Sequence, residues 1–502
     1  MEKIPLIFPE VKVNLEIKDI TFNSIEELVF DVTRYIGQHV LEKVLYDIDE
    51  ELRLSRAKGE LENRGKKEKY LLTRLGDIRY RRTRYIDKRT GKSRYLLEEK
   101  IGLKKNQRIS LSREKIEMFI STISSYRGTK EQIELLTGYN RSHEAIRQSV
   151  MKEGRKIMRY QEHRIDKINR FEDGGVKNIP EIAYMESDSV KIRLQSSKKN
   201  KSAIKVKKGK KKTIDVKLGI GYSGREKRYV NGIKPANSLK DKFSYIGICS
   251  GKKFMEKLSL IAEGRMRLSS VKNIFFGGDG AEWIKTGITD YFPGAVYLLC
   301  WFHLFRNIKG ALGHRKDEQK GLRRLIIKDK IDEGLKMIKN LIKSSDDEQR
   351  REALRGLYGY ISENRDGINA LNRIEDKLIL EKVKRTGAIE PNIDKTIVHR
   401  FKRRGMSWSP RGALSLLKIK ETIVNGEWED WWHKNRDEKI ELRRDKIKVL
   451  TAKDVLKRSG RDVFPLIEAD IPALSGSDRN KPWAKLLREL SSIDYFTAVG
   501  TR

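Results

Sequence analysis

The chain has 502 residues, and its lysines and arginines exceed its acids by 38 charges, which self-repel unless a polyanion is present. Nucleic acid is therefore the leading expected partner, ahead of a merely soluble basic protein. No run approaches the roughly 18 consecutive apolar residues of a membrane span, and the N-terminus mixes acids into its apolar stretch, so neither a membrane segment nor a signal peptide is expected.

The length suits about two to four domains. The cysteines are Cys249 and Cys300, with no CxxC pair, which fits a reducing cytoplasmic compartment rather than a disulfide framework. Residues 1–70 read as a helical front section. From Ser24 to Leu54, Ile25, Leu28, Val32, Ile36 and Val40 recur at helical spacing, and charge then dominates to Lys69. Residues 71–110 contain "YRRTRYIDKRTGKSRY", where basic and apolar residues alternate around a polar turn at Asp87 to Lys92, so a β-hairpin is expected. Arg79, Arg81, Arg82 and Arg84 would lie along a phosphate backbone or form one solvated strand face.

Residues 111–175 hold a helix-turn-helix pattern. Two helices flank Gly138, with Ile133 and Leu136 facing inward from the first and Ile146 and Val150 from the second. Ser142 or Asn140 would cap the second helix, leaving Arg141, His143, Arg147 and Gln148 to meet a DNA groove. Helical hairpins that bind nothing have the same pattern.

After the polar "FEDGGVKNIPE" the periodicity turns to strands: "IAYMESDSVKIRLQ", "TIDVKLGIGYSG" and "SYIGICSG". Between the first two, residues 196–212 carry nine lysines and no acid, including Lys207, Lys208, Lys210, Lys211 and Lys212. Such a run is either a solvated loop or a phosphate-gripping polycation. A helix is expected at about 253–268, then a strand ending near Asp279 and another over Ala295 to Leu299. Residues 313–385 read as charged helices, and residues 431–502 as a basic tail.

Three acids sit at strand or helix junctions: Asp188 inside "YMESDSV", Asp279 after "IFFGG", and Glu390 at the head of a helix striped by Ile389, Ile393, Ile397 and Phe401. A carboxylate in a strand spelled for burial is costly unless compensated, and a hard divalent cation is one compensation. Two such cations support phosphoryl transfer. Spacing by itself does not select these three among 71 acids.

The set "ESDSV", "GGDGAEWI", "CWFH" and "TGAIE…RFKRRGMSW" resembles the DDE transposases, in particular the ISLre-type insertion-sequence family related to Mutator-like transposases. The resemblance runs through most of the chain. It implies an α/β multidomain protein whose catalytic domain, residues 176–430, is ribonuclease H-like. That domain has a five-stranded mixed sheet with helices and a helical insertion at about 313–385. The first acid sits in the first strand, the second just after the fourth, and the glutamate on a late helix.

Asp188, Asp279 and Glu390 would then be the catalytic metal ligands for two Mg2+ or Mn2+ ions. Cys300 and His303 match the family's C/D-x-x-H signature, with His303 near the scissile phosphate; a buried cysteine and a core histidine are the plain alternative. As ligands of a structural zinc, Cys300 and His303 are only two of the four needed, with no second pair in the sequence.

Pro391 restricts the helix to starting nearby, which leaves Asp394 and Glu421 as reserve ligands; Glu186 and Glu282 read as supporting or surface acids. Arg400, Lys402, Arg403 and Arg404 would contact phosphates or form a solvated face, and Trp283 and Trp408 would stack on a base or fill the core.

The resemblance implies a nucleoid-associated enzyme. It would bind the terminal inverted repeats of its element and target double-stranded DNA as a homodimer or larger assembly, cut, and join a 3′-hydroxyl to the target. The alternatives are a nuclease on the same scaffold without strand transfer and a domesticated, non-catalytic DNA-binding protein.

Overall fold

A computed structural model describes residues 20–56, 59–138, 141–170, 179–195, 212–230, 234–403 and 405–436. The chain divides into two compact units, Met1–Val150 and Met151–Arg502.

In the first unit, α1 (Phe22–Ser55) starts from a capping box in which Thr21 accepts the Ser24 amide. Strands β1 (Leu61–Thr73), β2 (Gly76–Asp87) and β3 (Ser93–Arg94) form an antiparallel sheet in that order. The hairpin differs from the sequence reading. Its tight turn lies between Thr73 and Gly76, and the Asp87–Lys92 turn leads only to the short β3. Residues 61–69, expected in the helical section, are the outer half of β1. Most of their side chains face water, so no buried face imposes the alternation that marks a strand. On β2, Ile78, Tyr80 and Arg82 are buried while Arg79 and Arg81 are exposed. Arg82 is ion-paired with buried Glu98 and stacks over Tyr95, so it belongs to the core rather than to a phosphate-facing row.

Helices α2 (Leu96–Lys100), α3 (Leu111–Ser121) and α4 (Tyr126–Thr137) follow. Gly138 caps α4 at φ 70°, a left-handed conformation that favours glycine. Then α5 (His143–Asn169) begins, with Ser142 Oγ accepting the Ala145 amide. Asn140 lies outside the described residues. Ile133, Ile146 and Val150 are buried as expected from their spacing, but Leu136 is exposed. Ile133 alone anchors that turn of α4, and its neighbours Leu135 and Leu136 both face water.

The second unit is built on a five-stranded mixed sheet of β4 (Ile182–Arg193), β5 (Thr213–Tyr222), β8 (Phe243–Gly247), β9 (Asn273–Gly278) and β10 (Val296–Leu299). Their spatial order is β10-β9-β4-β5-β8, with a separate ribbon of β6 (Gly224–Val230) and β7 (Lys234–Lys240). β4 pairs antiparallel with β5 and parallel with β9; β5 pairs antiparallel with β8, and β9 parallel with β10. Central β4 is buried along most of its length, as a strand covered on both faces must be.

Helices α6 (Gly251–Met266) and α7 (Glu282–Tyr291) pack Phe254, Met255, Leu258 and Ile288 with Phe276 and Phe292 into one apolar cluster. A second cluster joins α8 (Trp301–Leu312), α9 (Lys316–Ile327), α10 (Ile331–Lys343) and α11 (Glu348–Glu363) through Leu304, Ile308, Leu322, Ile338 and Leu357. With α12 (Lys377–Lys382), helices α9 to α11 occupy the segment of about 313–385 expected to be helical, whereas α8 precedes it.

The chain returns through α13 (Ile389–Ile393), a π turn (Asp394–Val398) and α14 (His399–Phe401). All four stripe residues, Ile389, Ile393, Ile397 and Phe401, are buried. Helix α15 (Pro410–Val424) has proline in its first turn, where a missing amide costs nothing, and α16 (Trp428–Asp430) follows. Among the described residues, no helix is long and apolar enough to cross a membrane.

Candidate active site

The sheet places Asp188 in its first strand and Asp279 immediately after its fourth. Asp188 is 8% exposed, and its Oδ1 accepts the Ser189 amide at 2.6 Å. Asp279 Oδ1 accepts the Ala281 amide at 2.9 Å, so the carboxylate closes the turn into α7. That turn passes through Gly280 at φ +93°, where a Cβ would also meet Asn364 at 2.8 Å. Only glycine fits both constraints.

Beside these carboxylates lies His303, 5% exposed, in the first turn of α8. Its Nε2 is 3.7 Å from Asp188 Oδ2 and its Nδ1 is 3.2 Å from Glu390 Oε1. One donor atom from each of Asp188, Asp279 and His303 falls within a 4.8 Å cluster, and a second such cluster comprises Cys300, His303 and Glu390. The fold therefore brings together residues 188, 279, 300, 303 and 390.

The cluster carries negative charge that the Arg306 guanidinium compensates only in part. Burial, followed by the Asp279 carboxylate, pushes the Asp188 carboxyl up to about 7, and the Ser189 amide only partly opposes this. Burial also raises Glu390, against the pull of the Arg306 guanidinium. Burial lowers His303, with Arg306 adding to the effect, so the imidazole is held neutral. A divalent cation among these oxygens would offset the repulsion, and the donor set of carboxylates with one imidazole suits Mg2+ or Mn2+.

Three residues support the site: Glu186, which the sequence offers as a supporting or surface acid, and Tyr360 and Arg306, which have no signal in the sequence. Glu186 is 1% exposed and accepts the amides of Gly387, Ala388 and Ile389 at 2.9–3.1 Å, as well as the Tyr222 hydroxyl at 2.6 Å. Its charge sits where the orphan amides of α13 converge, so a buried carboxylate is stabilised by the helix start that carries Glu390. Tyr360, on α11, donates its hydroxyl to the Asp279 carbonyl at 2.8 Å. Arg306 is exposed one turn after His303, and its guanidinium lies 5.5 Å from the centre of the exposed Phe302 ring. The buried pairing of Glu186 could have been suspected only from its place two residues before Asp188, on the same face of the strand.

The reserve acids lie elsewhere. Glu421 is buried against Lys418 and accepts the Ile246 amide and the Gln161 side chain, a structural role on α15. Asp394 is ion-paired with Arg403 at 2.5 Å, and Glu282 is exposed. Arg400 departs most from the sequence reading. It is 2% exposed, with its guanidinium 4.8 Å from the Trp408 ring centre and beside Met406 Sδ, so it is not part of a basic face. Trp408 is itself core, donating its indole N–H to the Phe401 carbonyl. Trp283 is partly buried against the α6–α7 cluster, with Lys217 over its ring.

In the first unit, Arg79 lies over Tyr70 and Arg81 is near Glu68, both on an exposed strand face. Arg141 is tied to buried Glu117 at 2.8 Å and to Ser149 at 2.7 Å, which makes it a brace between α3 and α5. Arg147 and Gln148 both bond Glu144, and His143 is exposed. Lys212 is half-buried, while Lys207, Lys208, Lys210, Lys211 and Arg404 lie outside the described residues, as does the tail beyond residue 436.

Two proteins of Caldanaerobacter subterraneus subsp. tengcongensis are similar to this chain. One is a UPF0236 protein 24% identical over 411 residues, covering 80% of this chain and 78% of its own. The other, also a UPF0236 protein, is 24% identical over 417 residues, covering 80% and 78%, and its name joins eleven locus designations. The solved Drosophila P element transposase strand transfer complex aligns over 80% of this chain and 95% of its own at 10% identity, but its TM-score of 0.21 is too low to bear on the fold. The family match spans residues 16–436, and the chain belongs to UPF0236, an uncharacterised protein family.

Proposed function

We propose that this chain is the DDE transposase of an insertion sequence, with a ribonuclease H-like catalytic domain in its second unit. The observation that carries the reading is the convergence of three carboxyls around His303: Asp188 and Asp279 share a donor cluster with it, while Glu390 lies 3.2 Å from its Nδ1 and is hydrogen-bonded to the Asp188 side chain. These acids come from the first strand of the sheet, the end of its fourth and a late helix. That is the disposition implied by the resemblance to the ISLre-type family. A relative encoded at eleven loci supports it, since a self-moving DNA segment leaves repeated copies of its own gene.

Asp188, Asp279 and Glu390 would hold two Mg2+ or Mn2+ ions. When bound, such ions lower the pKa of an attacking water or 3′-hydroxyl and stabilise the leaving oxygen. The chain's own residues do the rest. Glu186 fixes the start of α13 and so the reach of Glu390. Tyr360 holds the Asp279 turn. Neutral His303, beside both Asp188 and Glu390, offers a hydrogen bond without adding charge. Arg306 places a cation at the entrance, where a phosphodiester oxygen would gain charge. No covalent protein nucleophile is required. Exposed Arg79 and Arg81, the second helix of the helical hairpin and the overall positive charge would bind the DNA, and two element ends handled together call for a dimer or larger assembly.

The test is incubation of the full chain with DNA carrying the ends that flank its coding region, a target plasmid, and Mg2+ or Mn2+. Joined end–target products are expected. Cuts without joining would identify a nuclease, and binding with neither product would identify a non-catalytic DNA-binding protein; either result rejects strand transfer.

A further inference from the structure

The second donor cluster is not explained by phosphoryl transfer on hard cations. Cys300 Sγ, a His303 ring nitrogen and a Glu390 oxygen lie within 4.8 Å of one another. Cys300 is the residue at the head of α8, and His303 follows one turn later, so the pair is fixed by a single helix start. The fold supplies the third donor from α13, far along the chain. His303 Nδ1 and Glu390 Oε1 are both buried atoms without a hydrogen-bond partner, 3.2 Å apart, and His303 as a whole is only 5% exposed. A buried polar atom left unpaired costs free energy that a ligand at that point would recover.

We infer that Cys300, His303 and Glu390 form a binding site for a thiophilic divalent cation of the Zn2+ class, distinct from the carboxylate pair of Asp188 and Asp279. Thiolate, imidazole and carboxylate are the donors Zn2+ prefers, and three protein ligands leave a fourth position open. Tetrahedral Zn2+ with such ligands sets donor atoms about 3.3–3.8 Å apart, so closing the cluster takes side-chain adjustment of about 1 Å. On binding, the Cys300 thiol loses its proton to solvent and the sulfur donates to the metal.

The site shares His303 and Glu390 with the proposed catalytic cluster. A neutral imidazole has one lone pair, so His303 can serve only one of the two clusters at a time. A Zn2+-class ion would therefore withdraw Glu390 and His303 from Asp188 and Asp279 and hold the enzyme idle. That consequence rests on the transposase reading; the binding does not.

Co2+ is the probe, because tetrahedral Co2+ with a thiolate ligand gives a sulfur-to-metal charge-transfer band. The metal-free full chain, kept reduced, is expected to bind Co2+ with this band, to lose it on adding equimolar Zn2+, and to keep it in excess Mg2+. Cys300→Ser should abolish the band, whereas Cys249→Ser, Asp188→Asn and Asp279→Asn should retain it, with circular dichroism verifying that each variant is folded. Absence of the band in the wild-type chain, its survival in Cys300→Ser, or its loss in folded Asp188→Asn would each overturn the inference. None of these readouts depends on DNA cleavage, so the site can stand or fall apart from the transposase reading.

Discussion

Glu186 accepts the backbone amide of Ile389 at 3.0 Å, joining the strand that carries Asp188 to the residue just before Glu390. Two side chains of the proposed metal cluster are thereby tied through one buried acid that need not touch substrate. Replacing Glu186 with glutamine would turn an –NH2 toward the amides of residues 387–389, and a loss of about 1–3 kcal/mol in folding stability is expected from the unsatisfied donors. Urea denaturation measures it. Cleavage should fall while DNA affinity stays unchanged; equal loss of both would assign Glu186 a purely structural role.

Asp188 gives a pH signature. Its carboxyl titrates near 7 in the folded chain against 3.8 as the ordinary value, so the folded state holds a proton that the unfolded state releases. The associated stability is fully present below about pH 4 and is lost as pH rises through about 7, on the order of 4 kcal/mol at most. Metal-free protein should therefore lose stability over that range in a chelator. Asp188→Asn should flatten the profile, and Mg2+ or Mn2+ should restore stability at pH 7–8. Thermal denaturation across pH with and without Mn2+ checks each point, and an unchanged slope in Asp188→Asn would contradict the assignment.

Arg306 lowers the pKa of Asp188, Glu390 and His303 from an exposed position. Arg306→Ala should slow cleavage by about 100-fold, the usual effect of removing one preorganised donor from a developing charge. Binding of uncut DNA should weaken little. Arg306→Lys should recover part of the rate, which single-turnover kinetics would show.

The sequence carried the backbone of the site better than its supports. Asp279 was legible as a strand end from an apolar run, two glycines and an acid, and Glu390 as a helix start beside the stripe of Ile389, Ile393, Ile397 and Phe401, but only the resemblance to the DDE transposases picked them out from the other acids. Strand β2 was legible from the alternation of basic and apolar residues, but its pairing was not, since the hairpin closes at Thr73–Gly76 instead of at Asp87–Lys92. The outer half of β1 was not, because a strand half exposed to water needs no alternation. Glu186 could be read only as a supporting or surface acid, because its partners are backbone amides some two hundred residues away, set by tertiary folding alone. Arg400 misled for a similar reason. An arginine in a basic run looks solvated until Trp408 is folded over it. Leu136 shows the reverse error, an apolar residue at helical spacing that the fold leaves exposed.

Affinity for DNA should fall linearly on a log–log plot against salt, and Arg79→Ala with Arg81→Ala should reduce the slope by about 2 if both contact phosphates. Fluorescence anisotropy over a salt series measures it; an unchanged slope would return the exposed face of β2 to simple solvation.

The central claim is that the carboxylates of Asp188, Asp279 and Glu390 act together on a phosphodiester. It is tested most directly by comparing single-turnover cleavage of end-containing DNA by the wild-type chain and by Asp279→Asn, in Mn2+, at equal DNA occupancy. Asp279→Asn is expected to bind the DNA as tightly as the wild type and to cut at no more than the background rate. Cutting at the wild-type rate would remove Asp279 from the chemistry and contradict the account.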